Sequence, residues 1–193
     1  MRPPLRSRPG FTLIEIMIVV AIIAIIASVA IPRYYYFQLH TKRAEAYVQL
    51  GTIRASEEAF LASYDNYAAC APTPAVLPGM FKTAWVPMPC PPGCSALNPA
   101  VCTTFECIGF RSNAAVFFQY TTGALLSPAV NPTPEYAIGA LSDLDDDGAV
   151  GSFSIQSNNT NNPANPGQTT DGLSACPLGV EANIIVECVP LVY

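Results

Sequence analysis

Histidine occurs once in this chain, at His40, and no two cysteines are spaced Cys-x-x-Cys. The first shortage removes the usual general base. With a single imidazole there is no nucleophile–base constellation to assemble, and the sequence reads as non-enzymatic. The second excludes a c-type haem, which needs Cys-x-x-Cys-His, and argues against zinc, because the nearest spacing is Cys90-x-x-x-Cys94 and His40 lies far from it. Basic residues are scarce too: nine Lys and Arg stand against fourteen Asp and Glu, for a formal net charge of −5. Three of the nine, Arg2, Arg6 and Arg8, fall in the first ten residues, so the remaining side chains sum to −8. An acidic body lacks the cationic footprint that a phosphate backbone requires, and no direct nucleic-acid site is expected.

What the chain has in quantity is an apolar run. From Phe11 to Ile31 there are 21 residues with one charge, Glu15, and the run meets Pro32. At about 1.5 Å per helical residue it is about 31 Å long, enough to cross a bilayer core. The arginines before it place the first ten residues in the cytoplasm and the acidic body on the far side. Seven cysteines suit that side, where disulfides persist. Three bridges with one thiol left over is the simplest count for Cys70, Cys90, Cys94, Cys102, Cys107, Cys176 and Cys188, and spacing alone leaves the pairing open. Glu15 is costly in lipid, at about 2.5–3.5 kcal/mol for a mid-helix acid and less near an end, so a cationic partner is expected.

The string GFTLIEIMIVVAIIAIIASVAIP, preceded by a short basic leader, resembles the N-terminus of a type IV pilin precursor. The resemblance covers roughly residues 1–67 and implies several things. A prepilin peptidase cuts between Gly10 and Phe11 and methylates the new Phe11 amine. The apolar segment stays in the product and packs side by side with copies of itself in a helical filament, where Glu15 of one subunit meets the Phe11 amine of a neighbour. The assembly residues are then Phe11, Glu15 and Pro32. The precursor sits in the inner membrane, is handled by a pilus assembly machinery, and ends in an extracellular filament serving adhesion, twitching motility or DNA uptake. A minor pilin, or a type II secretion pseudopilin building a periplasmic piston, shares the same N-terminal chemistry. A membrane-tethered calcium- or ligand-binding module is the reading from another class. The resemblance also favours a Cys176–Cys188 bridge, similar to the C-terminal disulfide loop of pilins. Tyr34, Tyr35, Tyr36 and Phe37 suit the membrane–water boundary and a filament interior better than electron conduction.

The expected fold is α+β: a helix over about residues 11–67 packed on an antiparallel sheet, the pilin roll, with long disulfide-rich loops. The expected divisions are a leader at 1–10, a membrane and filament-core helix at 11–32, and a globular head at 33–193. Pro32 should bend the helix rather than end it. Tyr47, Leu50, Ile53, Phe60, Tyr64 and Tyr67 recur at helical spacing, with Glu57 breaking the stripe. Residues 70–108, rich in proline and cysteine, read as an irregular bridged loop rather than a core element. The sheet is expected within 114–193, with strands at Ala114–Thr121, Tyr136–Leu141, Val150–Gln156 and Asn183–Val189 and an exposed loop at Asn158–Thr170.

One local motif points to a ligand. In DLDDDGAVGSFS, Asp143, Asp145 and Asp147 alternate before Gly148. Such a turn curls three carboxylates around one point, as calcium requires, with Ala149 supplying a backbone carbonyl. Ser154 stands where an EF-hand has its bidentate glutamate, and the flanks read as strands, so a site here would be of the weak, extracellular kind. A solvated turn between two strands is the alternative. Asp146 would be a spectator.

Overall fold

The computed structural model describes residues 10–125, 134–157 and 183–189. These fall into two compact units that divide between Gln38 and Leu39. One helix, α1 (Leu13–Tyr64), is followed by four strands: β1 (Gln119–Leu125), β2 (Glu135–Ser142), β3 (Gly151–Gln156) and β4 (Val186–Val189). They form one antiparallel sheet in the order β1-β2-β3-β4. The protein is α+β, a long N-terminal helix packed on a four-stranded antiparallel sheet.

Pro32 lies inside α1 and does not end it. The helix is shorter than expected at both ends. It begins at Leu13 because Thr12 caps it, and it stops at Tyr64 because Asp65 adopts a left-handed conformation, φ +54°, while donating its N–H to Leu61 O at 2.8 Å. Tyr67 is therefore outside the helix, where its ring packs edge-on against Tyr136 at 4.8 Å.

In the second unit the helix buries Ala46, Leu50, Ile53, Glu57 and Phe60. These face a sheet surface built from Tyr120, Tyr136, Ile138, Ala140, Phe153 and Ile155. Register explains that surface: Ala140 pairs with Tyr120 on one side and Phe153 on the other, and Ile138 pairs with Ile155. Tyr47, expected in the stripe, is 45% exposed at its edge but still meets Phe153 at 5.4 Å.

Two expectations need correction. The apolar stretch Ala114–Thr121 is a strand only from Gln119. Val116 instead exchanges both backbone hydrogen bonds with Thr83, at 2.8 and 2.9 Å, so the loop takes those residues before the sheet does. Residues 70–108 are irregular, with one short 3₁₀ turn at Pro99–Val101, yet they contribute to the core. Trp85 packs against Phe105 (5.3 Å), Phe110 (5.5 Å) and Tyr120 (6.3 Å), tying the loop to β1. Such ring pairs add about 0.5–1.5 kcal/mol each beyond area burial. Bridges join Cys90 to Cys107 and Cys94 to Cys102. Cys70 is a buried free thiol. Cys188 is disulfide-bonded, and Cys176, its expected partner, lies outside the described residues, as does the loop Asn158–Thr170. The last strand is shorter than Asn183–Val189 because Asn183 turns left-handed, φ +61°.

Glu57 does not break the helical stripe; it sits within it, fully buried. Its Oε2 accepts the Ala68 N–H at 3.0 Å. Thr122 in turn holds Ala68 O (2.8 Å) and the Cys70 N–H (2.7 Å). This polar knot ties the chain leaving α1 to β1. Burial pushes the Glu57 carboxyl up to about 7, opposed by the Ala68 N–H and by the Thr122 hydroxyl and reinforced by Glu58. The folded state thus holds a proton that the unfolded chain releases near 4.5. The stability it gives is full below that value and is lost as pH rises through 7, by about 3 kcal/mol for this group alone. Glu57→Gln keeps the acceptor and removes the slope. Denaturant melts at about pH 5 and about pH 8 check this, and equal wild-type stability at both would refute the buried acid.

Candidate functional site

Residues 13–31 of α1 are apolar and, in this chain, exposed on nearly every side: Ile14 is 65% accessible, Ile18 55%, Ile25 70% and Val29 63%. A helix that is hydrophobic all round belongs in lipid or against other helices. It is long and apolar enough to cross a membrane. Ser28, the one hydroxyl in the run, is satisfied internally by donating to Ile25 O at 2.7 Å. Pro32 brings no N–H to the helix ladder, and a shallow notch lined by Val29, Pro32, Arg33 and Tyr36 opens beside it.

The start of this helix is a capping box. The Thr12 N–H and the Thr12 hydroxyl both donate to Glu15 Oε2 at 2.8 Å, and the Glu15 N–H donates to Thr12 Oγ1 at 3.3 Å. Glu15 was expected to need a cation; it already has donors from its own chain. Both go to one oxygen, so Oε1 meets no donor among the described residues. The signal was legible, since Thr12-Leu13-Ile14-Glu15 has the Thr-x-x-Glu spacing. Phe11 stands outside the helix and is 86% exposed, and a side chain at Gly10 would meet nothing within 4 Å. The three leader arginines lie outside the described residues.

The acidic motif forms the β2–β3 connection. Asp143, Asp145 and Asp147 each place a carboxylate oxygen within 4.8 Å of the others. An ion about 2.4 Å from each ligand spans that separation, so the three fit one calcium-sized cation. The loop also uses these groups for itself. Asp143 accepts the N–H of Asp147 (3.2 Å) and of Gly148 (2.9 Å), and Asp147 accepts that of Ala149 (2.7 Å). Gly148 has φ +88°, which suits glycine, and Asp146 lies outside the trio with φ +61°. Desolvation raises the Asp145 carboxyl above its usual range, helped by Asp147 and Asp143.

Lys42 was not anticipated. Its ammonium donates to Met80 O (3.0 Å) and Leu144 O (3.4 Å) and attracts Asp145. It also lies 5.0 Å from the Phe117 ring centre, with Lys82 at 4.8 Å. Desolvation lowers its pKa. Nearby, Arg43 pairs with Glu187 on β4, and Glu45 accepts the Phe117 N–H at 2.7 Å while pairing with Lys82 at 3.2 Å. These charges fasten the helix to the sheet edge. Their sequence signal was weak, because each partner lies many residues away.

Residues 5–31 match the family model described as the prokaryotic N-terminal methylation motif. The chain is 47% identical over 58 residues to the "Type IV major pilin protein PilA" of Myxococcus xanthus (strain DK1622), covering 30% of this chain and 26% of that protein. It is 38% identical over 69 residues to a "Fimbrial protein" of Pseudomonas aeruginosa, covering 35% and 45% respectively. A "Probable minor fimbrial protein" of Dichelobacter nodosus is 39% identical over 54 residues, covering 28% and 34%. The chain thus spans less than half the length of the curated relatives it matches. No solved structure matches it. Through its N-terminal segment the chain is similar to type IV pilin and fimbrial proteins.

Proposed function

We propose that this protein is the precursor of a structural subunit of a type IV pilus, and that it polymerises through α1. The observation that carries the reading is an apolar helix exposed all round, with one carboxylate four residues after Phe11, inside a matched methylation motif. A prepilin peptidase removes residues 1–10 at the Gly10–Phe11 bond and methylates Phe11. Residues 11–32 then hold the subunit in the inner membrane, leader side in the cytoplasm, until the assembly machinery draws it into an extracellular filament with residues 33–193 as its head.

Stacking neighbouring helices buries the apolar surface, worth about 25 cal/mol per Å². It also removes Glu15 from lipid. The capping box leaves Glu15 Oε1 open to a neighbour's Phe11 ammonium. A charge pair about 4 Å apart gains about 4 kcal/mol at an effective dielectric near 20, enough to offset the burial of the acid and to fix the axial step between subunits. A minor-pilin role is the second reading, supported by the likeness to the D. nodosus protein. Abundance in sheared surface fibres separates the two: bulk fibre protein for a major subunit, trace amounts for a minor one.

Two substitutions divide the work of Glu15. Glu15→Ala loses cap and charge; Glu15→Gln keeps an acceptor for Thr12 and loses only the charge. Both should be cleaved normally and should abolish fibres. Wild-type fibre yield from Glu15→Gln would show that the cap, not the charge pair, matters. For processing, Gly10→Leu should accumulate the full-length precursor by mass spectrometry. A shortened Gly10→Leu product starting with methyl-phenylalanine would move the cut elsewhere.

The acidic loop carries a calcium reading, favoured by the convergence of Asp143, Asp145 and Asp147. Millimolar calcium should raise the melting temperature of the mature protein, chelator should reverse it, and Asp145→Ala should respond to neither. Identical melting of wild type with calcium and with chelator would leave the loop a plain turn.

A further inference from the structure

The two described bridges lie against each other. Cys90, Cys94 and Cys107 place their sulfurs within 4.8 Å of one another, and Cys102 is bonded to Cys94, so all four sulfurs share one small volume. The surrounding lobe fixes them by contacts that do not involve sulfur–sulfur bonds. The Cys94 N–H closes a turn onto Pro91 O at 3.2 Å, through Gly93 at φ +102°. The Cys107 N–H closes another onto Thr104 O at 2.9 Å. Behind them, Ala71 N–H meets Thr103 O at 2.9 Å and Phe105 packs on Trp85. The Thr104 hydroxyl stands 3.3 Å from Cys107 Sγ, where it can donate to a thiolate. Cys102 is fully buried, while Cys94 and Cys107 are half-buried, which leaves a way in from solvent.

We propose that reduction of these two bridges turns the lobe into a tetrahedral four-cysteine site, Cys90, Cys94, Cys102 and Cys107, for a soft divalent ion of the zinc or cadmium class. Metal–sulfur bonds of about 2.3 Å in a tetrahedron put the sulfurs about 3.8 Å apart, within the separation already observed among three of them. The sequence argued against zinc on spacing; the fold supplies the convergence that Cys-x-x-Cys motifs supply locally. The chemistry balances simply. Each bridge takes two electrons and two protons from a dithiol, which leaves as its own disulfide. The ion then displaces the four thiol protons into solvent and binds four thiolates. In an oxidising compartment the bridges hold the lobe; in a reducing one the ion does, so Trp85 and β1 keep their cover in both.

The test uses the full-length protein in detergent micelles, reduced anaerobically with a phosphine and titrated with cadmium. One ion should bind per chain, giving the thiolate-to-cadmium ultraviolet band and shielding four thiols from a thiol-specific reagent. A triple variant, Cys70→Ser, Cys176→Ser and Cys188→Ser, should behave identically, because the other thiols take no part. Cys94→Ser should weaken binding by at least about tenfold. The proposal is overturned if the triple variant loses the band, if Cys94→Ser binds as tightly as wild type, or if the unreduced protein gives the same signal.

Discussion

A helix whose first half is apolar on every side cannot be stable in water alone, and everything else about this protein follows from that imbalance. Burial of that surface must come from lipid or from other apolar helices. The second half of α1 solves the same problem within the chain. There the apolar residues narrow to one face, Ala46 to Phe60, and the sheet covers it. One continuous element therefore changes its solvent along its length, and the change is written in the shift from an unbroken apolar run to a period near 3.6.

How far the sequence could be read depends on the range of each interaction. The apolar run, the interior Pro32 and the strands β2 and β3 depend on local pattern, and reading them took no tertiary information. The start of α1 was also local, in the Thr12–Glu15 spacing. Strand β1 was displaced because Val116 found a partner in Thr83, a loop residue that no periodicity marks. The core role of residues 70–108 rested on Trp85 meeting rings at positions 105, 110 and 120, a long-range fact hidden by the prolines around it. For the acidic loop the trio of aspartates was legible, but not Lys42, whose ammonium reaches the loop across roughly a hundred residues of chain.

Glu57 shows why pattern reading misplaces charged residues. A glutamate in an apolar stripe looks like an interruption. Here the chain leaving the helix has N–H groups with no helical partners, and a carboxyl at that point gives the Ala68 N–H an acceptor. The cost of burying it is reduced by keeping it protonated, which is the cause of its raised pKa.

Because the cap sits at Thr12, the helix proper opens two residues after the scissile bond proposed here. The amine released by trimming would belong to Phe11, one residue beyond the capped end, rather than to the helical ladder. With Thr12 held to Glu15 by the cap, Phe11 alone extends past the rod, and under the proposed processing its nitrogen would reach a methyl donor, and then a neighbouring subunit, without unwinding a single turn of the helix behind it.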